Sequence, residues 1–406
     1  MDFLKSFTST EALRLIEAFP VSPESETLDL EDADGRTLAE DILSTENVPP
    51  FPRSLVDGYA VKAKDTYGAK ETSPSLLYVK GEVRIGEETD LVLEDGFSVY
   101  LSTGSMIPEG ADSVVMQEFV RQAGDAIEVT RSVFRGENIC FKGEDIEKGS
   151  RVLMKGKRLS PFDIGTLAAI GISRIPVFRR PRVSVISSGD EIVPVDHTPP
   201  PGKIRDINRH TVSSLLRREG ALVSFEGITA DSLPDIKSIL LSSKDSDMIL
   251  ISGGSSKGER DLVTAAIDDL GGKILFHGIN IKPGKPTVFA QLWGKPVFGL
   301  PGHPASCIVV VLRFVLPVLA RLRGGDCHRL RKVAALLTTN APSSYGIEEY
   351  VRVTVEEEAG GRYMATPVFS KSAVISSLSR ASGYIIVPEG KEGCEPDEEV
   401  EVYLFE

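Results

Sequence analysis

The sequence predicts a multidomain protein of α/β and β class. A three-layer α/β domain is preceded by a small β domain and followed by a C-terminal β-barrel. Between residues 181 and 323, apolar strands alternate with helical segments at the spacing of βαβ units, which implies a mostly parallel sheet covered on both faces. From about 55 to 148, and again from 331 to 406, short apolar runs separated by turn residues follow one another without helices between them. The length of 406 residues is enough for roughly two to four domains.

In chain order, Thr8-Ser-Thr-Glu11 has the spacing of a capping box before an amphipathic helix from Ala12 to Ala18. Asn47 to Arg53, with prolines at 49, 50 and 52, is expected as an extended connector because the residue before proline avoids the helical region. The β domain follows, with strands expected in SLLYVKGEVRIG, GFSVYLSTG, SVVMQEFV and AIEVTRSVF. Ser160 is placed to cap a helix from Pro161 to Ile172, with proline in its first turn. The α/β region opens with the strand RVSVISSGDEIV, a helix from His210 to Gly220 capped by Asn208, and the strand LVSFEGI. A helix from Leu233, the strand DMILISGG, a helix from Asp261 to Leu270, three more strands and a long helix from Pro304 to Arg323 complete it. In the last segment, 13 acidic residues against 7 basic ones make the expected barrel acidic.

A net charge of −13 argues against nonspecific nucleic-acid binding, whose usual footprint is a basic face, so any anion site must be a local positive island. The four cysteines (Cys140, Cys307, Cys327, Cys394) are scattered, without a Cys-x-x-Cys pair, and indicate neither a zinc site nor a disulfide framework. The N-terminus lacks the apolar core of a signal peptide, and the longest apolar run, Ile308 to Ala320, is interrupted by Arg313 and Pro317. A cytoplasmic protein without nucleic-acid or membrane partners is expected.

The chemistry concentrates in a few segments. Lys282-Pro-Gly-Lys-Pro286 holds two cations on a stiff turn, which suits an anionic ligand because little ordering is needed on binding. Three glycine-containing loops follow predicted strands, at 187–191, 252–261 and 299–306, where backbone N–H groups can approach an anion. Gly202 to His210 adds Lys203, Arg205, Asp206 and Arg209; its alternative reading is a solvated turn before a helix. Carboxylates at Asp57, Asp145, Glu191, Asp206 and Asp261 lie in or near turns, where each alone is more readily a turn or capping residue. Together near an anion they would repel it unless a hard cation such as Mg²⁺ bridged them to phosphate oxygens. A minor alternative is a serine hydrolase, since Gly254-Ser-Ser-Lys-Gly258 fits Gly-x-Ser-x-Gly around Ser256, with His303 downstream. Lys257 to Asp261 is poor chemistry for the helix such an elbow needs, and neither a dinucleotide fingerprint nor a P-loop occurs at these loops.

In their order, these segments resemble the MoeA / gephyrin E-domain family, the molybdopterin molybdenumtransferases. The likeness rests on Pro49 to Val61, Thr103-Gly104 with Ile107 to Glu118, Lys142-Gly-Glu-Asp145, Ser188-Gly-Asp-Glu191, Gly253-Gly254 with Asp261, Lys282 to Pro286 and Gly299-Leu-Pro-Gly302. The resemblance implies a discontinuous linker region (1–47 and 149–178), a β domain (48–148), a three-layer α/β molybdopterin-binding domain (179–326) and a C-terminal β-barrel (327–406). It implies insertion of molybdate into adenylylated molybdopterin with release of AMP, assisted by Mg²⁺, in a homodimer whose site is shared across the interface. An upstream adenylyltransferase of the pathway is an implied partner. Asp57, Thr103, Asp145, Glu191, Asp206 and Asp261 match catalytic positions, with Glu191, Asp206 and Asp261 as metal ligands. Asp57, Thr103 and Asp145 are expected to come from the partner copy. Ser188, Gly189, Gly253, Gly254, Ser255, Lys282, Lys285, Pro301, Gly302, Ser306, Arg352 and Ser377 match ligand-binding positions. The chain departs from the family pattern at His303, commonly Asn, at Ser255-Ser-Lys257, usually Val-Ser-Val, and at Pro52-Arg53. These departures leave a tungstate-specialised paralogue as an alternative; a noncatalytic pterin-binding scaffold is another, against which the retained carboxylates at Asp57, Asp145, Glu191, Asp206 and Asp261 speak.

Overall fold

A computed structural model describes residues 6–253, 262–325 and 330–405. The chain forms two compact units, one of residues 27–34 and 40–176, the other of 1–26, 35–39 and 177–406.

In the first unit, a six-stranded sheet runs in the order 113–116, 58–61, 97–101, 75–83, 126–129, 120–123. All its pairings are antiparallel except that of 75–83 with 97–101. The strand Gly58–Val61 is buried on both faces because its alternation feeds two cores. Tyr59 and Val61 pack with Leu77, Val115 and Ile127, whereas Ala60 packs with Val83, Val99 and Val114. Gly58 has no tolerable substitute, since a Cβ there would lie 2.0 Å from the Val115 carbonyl oxygen. The helix Pro161–Ala169 starts as expected, with a capping box between Ser160 and Asp163. It stops before Ile172 because Gly171 turns into the left-handed region at φ +76°.

The second unit contains the α/β domain and the barrel. We label β1 Arg182–Ser188, α1 Asn208–Arg218, β2 Leu222–Thr229, α2 Leu233–Ser242, β3 Met248–Ser252, α3 Leu262–Asp269, β4 Lys273–His277, β5 Val288–Leu292 and β6 Lys295–Leu300. The long helix α4 covers Pro304–Leu322. The sheet order is β2-β1-β3-β6-β5-β4. The first four strands are parallel, β5 runs antiparallel beside β6, and β4 pairs antiparallel with β5 and so points the same way as the first four, which makes the sheet mostly parallel. From β1 the chain steps outward to β2, then crosses to β3 on the other side of β1. The carboxyl ends of β1 and β3 therefore flank a topological switch point, where an open α/β sheet binds ligands.

Period-two alternation makes the three layers. Ile186, Ile249, Ile251 and Val297 face α2 and α3, while Val185, Leu250, Phe298 and Leu300 face α1, α4 and the N-terminal helix Ser9–Ala18. Each fully buried large side chain contributes about 1.5–3 kcal/mol. The N-terminal helix begins with the expected capping box of Thr8 and Glu11 and inserts Ala12 and Ile16 into this core. Helix α4 is long and apolar enough to cross a membrane, but its side chains are buried within the protein. It widens into a π-helical stretch at Val311–Val315, immediately before Pro317, which has no N–H to return to the Arg313 carbonyl.

The barrel closes through five strands. Glu348–Glu357 pairs with Tyr363–Pro367 and Gly383–Val387, which continue through Lys332–Leu337 and Glu399–Leu404. Its interior takes Val351, Val353, Ile385 and Val402. The alternate residues Tyr350 and Tyr384 join the α/β core, so the same strand face carries Arg352.

Candidate functional site

At the carboxyl ends of β1 and β3, Ser187, Ser188 and Ser252 are buried. Gly253 follows with φ +97°, and a Cβ at this position would lie 1.9 Å from the Ser188 carbonyl oxygen. Only glycine lets the two strand ends approach this closely. The Gly253 N–H donates to the Leu300 carbonyl at 3.2 Å, which stitches β3 to the end of β6.

Two short parallel strands, Ile192–Val193 and Ile204–Arg205, bring Asp206 under β1. The Ser187 hydroxyl donates to Asp206 Oδ1 at 2.8 Å, and the Arg209 backbone N–H donates to the same oxygen at 3.2 Å. Arg209 Nε lies 2.9 Å from Oδ2, but without hydrogen-bond alignment, so this contact is an ion pair with two buried atoms left short of a hydrogen bond. The Asp206 side chain is 1% exposed. It was expected as a metal ligand, yet in this structure both oxygens face partners of the chain itself. Glu191 is exposed. Asp261, Gly254, Ser255 and Ser256 lie outside the described residues. Among the described residues, no three His, Cys, Asp or Glu side chains converge as a metal cage.

Asn208 does not cap α1. Ile207 takes the cap position, and the Asn208 amide instead donates to the Gly302 carbonyl at 2.8 Å, joining α1 to the loop after β6. In that loop Pro301 is buried and Gly302 exposed, and Ser306 is buried in the first turn of α4. His303 Nδ1 lies 2.8 Å from Ser372 Oγ.

The lysine turn is built rigidly. Gly284 packs so closely that a Cβ would lie 2.8 Å from Ile281 Cδ1, and the buried Thr287 hydroxyl donates to its carbonyl. Ile281–Lys282 pairs in parallel with Glu348 and Glu349 of the barrel. Lys282 Nζ meets Glu349 Oε1 at 2.9 Å, and Ser343 also donates to Glu349. Lys282 is thus partly neutralised, whereas Lys285 is exposed and has no ion pair among the described residues.

Arg352 is 8% exposed. Its Nη2 donates to the Ser370 carbonyl at 2.8 Å and to Ser370 Oγ at 3.1 Å, while Nε and Nη1 are buried without a partner. Burial depresses its pKa below the ordinary arginine value, and among the described residues no carboxylate compensates. A buried guanidinium with free donors fits an anionic oxygen. Ser377 is buried in the short helix Ser376–Arg380 and donates to the Val374 carbonyl.

In the other unit, Thr103 donates to Asp57 Oδ1 through its backbone N–H at 2.6 Å and its hydroxyl at 2.9 Å. These bonds, the backbone one foremost, hold the exposed Asp57 carboxyl below its ordinary pKa of 3.8. Asp145 lines a groove of about 650 Å³ with Arg151, Phe162 and Thr166.

Sequence reasoning missed Asp231, Glu349, Ser370 and Ser372. The Ser188 hydroxyl donates to Asp231 Oδ1, and the Asp231 N–H donates to Asp190 Oδ1 at 3.1 Å, which clasps the loops after β1 and β2 together. The strand-end rule could have found Asp231, which follows β2 as the other loops follow β1 and β3. Nothing local marks the other three, because their partners lie far away in the chain.

Three family models match: the MoeA N-terminal region (domain I and II) over residues 7–171, a probable molybdopterin binding domain over 184–321, and the MoeA C-terminal region (domain IV) over 334–405. The chain is 34% identical over 401 residues to the molybdopterin molybdenumtransferase of Bacillus subtilis, covering 97% of this chain and 93% of the relative. It is 32% identical over 396 residues to that of Haemophilus influenzae, covering 97% and 96%. Among solved structures, the molybdopterin biosynthesis moeA protein from Pyrococcus horikoshii OT3 superposes with a TM-score of 0.85 at 34% identity, covering 99% of this chain and 100% of that one.

Proposed function

The chain belongs to the MoeA family, and on that premise we propose that it is a molybdopterin molybdenumtransferase, inserting molybdate into adenylylated molybdopterin with release of AMP to complete the molybdenum cofactor. The observation that carries the reading is Arg352, a buried cation with unpartnered N–H groups and no carboxylate beside it among the described residues. Such a group lowers its free energy by receiving an anion, and molybdate supplies four oxygens. Lys285, exposed and unpaired among the described residues, adds charge on a turn that needs no ordering.

The pterin phosphate belongs at the strand ends, with Ser188, Gly189, Gly253, Gly254, Ser255, Pro301, Gly302 and Ser306. Because the Ser188 hydroxyl proton is committed to Asp231, that side chain offers only lone pairs, so the donors to phosphate are backbone N–H groups. Asp206 acts by fixing Ser187 and the start of α1 rather than by contacting the ligand. Glu191, which is exposed, and Asp261, which lies outside the described residues, would hold a Mg²⁺ ion, an ion commonly held by one or two carboxylates plus phosphate. When bound, it would offset the phosphate charge that these carboxylates otherwise repel. A homodimer in which the partner copy supplies Asp57, Thr103 and Asp145 is part of this reading, as is an adenylyltransferase that delivers the substrate.

The test is AMP release from adenylylated molybdopterin, molybdate and Mg²⁺ by purified protein. Folded protein that releases no AMP under these conditions refutes the reading. Mixing Asp57→Asn and Glu191→Gln proteins should restore part of the activity that each lacks alone; no recovery counts against a shared site.

A further inference from the structure

Residues 368–374 link a barrel strand to the helix Ser376–Arg380 without regular secondary structure, so their conformation depends on the bonds made to them. Those bonds come from two sides. From the barrel, Arg352 Nη2 donates to the Ser370 carbonyl and hydroxyl, and the Arg352 carbonyl accepts the Val368 N–H at 2.8 Å. From the α/β domain, the Ala305 N–H donates to the Ser372 carbonyl at 3.1 Å, and His303 Nδ1 meets Ser372 Oγ at 2.8 Å. Ser370 and Ser372 flank the exposed Lys371. The segment is therefore a strap, pinned at one end to the guanidinium and at the other to the loop after β6.

We propose that His303 and Ser372 are positioning residues that fix this strap, and through Ser370 aim the free N–H groups of Arg352 at the incoming oxyanion. This rests on the reading of Arg352 as an oxyanion contact and adds residues to it. The consequence is physical coupling between two parts of the site. The loop carrying Pro301 and Gly302 is expected to hold the pterin phosphate, and its next residue, His303, reaches the strap that orients the molybdate wall. A guanidinium held by a single nitrogen swings about that contact unless the group holding it is itself fixed. Ser370 is fixed only as well as the strap is, and the Ala305 N–H alone leaves the Ser372 side chain unrestrained. Asn at 303 can also hydrogen-bond a serine hydroxyl, so the departure at His303 keeps the strap's partner chemistry while lengthening the side chain.

The test uses the full-length protein and molybdate alone as the titrant in calorimetry, with thermal unfolding recorded for every variant. His303→Ala and Ser372→Ala should each weaken molybdate binding about three- to tenfold, the range of one net hydrogen bond. The double variant should lose no more than either single one, because both remove the same bond. Ser372→Thr, which keeps the hydroxyl, and His303→Asn should bind close to the unaltered protein. In turnover with adenylylated molybdopterin, the loss should fall on the KM for molybdate. If Arg352→Met abolishes molybdate binding while His303→Ala and Ser372→Ala leave it unchanged, the strap inference is overturned and the Arg352 reading stands. If Arg352→Met binds molybdate normally, the reading of Arg352 fails and takes this inference with it.

Discussion

Replacing Arg209 with methionine tests whether Asp206 is held as a buried ion. The carboxylate is 1% exposed, Arg209 is 17% exposed, and the two charges lie 2.9 Å apart. Methionine keeps most of the side-chain volume but removes the charge, leaving Asp206 with only Ser187 and one backbone N–H as donors. Breaking a buried pair by deleting one partner costs about 3–5 kcal/mol. With a urea slope of about 2 kcal/mol per molar, the unfolding midpoint should fall by about 1.5–2.5 M. The chain's single tryptophan, Trp293, lies between β5 and β6, so its fluorescence follows unfolding of the α/β domain itself. Asp206→Asn combined with Arg209→Met should recover part of the loss, since no charge is then stranded. A midpoint for Arg209→Met within about 0.3 M of the unaltered protein, a loss below about 1 kcal/mol, would refute the ion-pair account of Asp206. It would return Asp206 to the candidates for metal ligation.

Gly253→Ala should destabilise the same domain by about 2–4 kcal/mol, combining a left-handed backbone with a collision at the Ser188 carbonyl; an unchanged urea midpoint would contradict this. Thr103→Val removes one of the two donors to Asp57, so the carboxyl pKa should rise towards 3.8 in a titration followed by carbon NMR. Because the folded-state value is depressed, the associated stability is present above 3.8 and lost as pH falls through the folded pKa, and the variant should show less of that acid dependence. Lys285→Ala should weaken molybdate binding more than Lys282→Ala, because Lys282 must first release Glu349, and both losses should shrink at high salt. Equal effects of the two substitutions would show that the Glu349 pair does not restrain Lys282.

Local chemistry was legible in the sequence where the cause is local. The capping box at Thr8 and the N-cap at Ser160 need only local spacing, and the α/β sheet follows from alternation and strand–helix rhythm. The helix expected to Ile172 overran because a glycine near a helix end can lie inside it or terminate it, and only the backbone angle decides. Asn208 has the chemistry of a cap, but the carbonyl it serves belongs to Gly302, far along the chain. The lysine turn was recognised as stiff and cationic. Its neutralisation by Glu349 depends on a strand pairing with the barrel that no local pattern encodes. Arg352 was singled out by the family resemblance alone, since its local pattern is that of an ordinary strand residue. It acquires meaning only because its strand face turns towards the α/β core, which depends on how the barrel docks there.

The π-helical stretch in α4 makes that helix a phase adaptor. One residue of extra winding offsets everything after it by about 100° around the axis. Before the stretch, the helix packs against α1; beyond it, α4 meets the N-terminal helix, where Arg321 donates to the Ile16 and Phe19 carbonyls at 2.9 and 2.6 Å. A single straight rod would have to serve both neighbours with one angular setting. The offset lets each half keep its own, and Pro317 makes the change of setting a covalent property of the chain. Deleting one residue from 311–315 would alter no surface chemistry, yet it would dial Leu316 and Leu319 out of step with the partners they now meet.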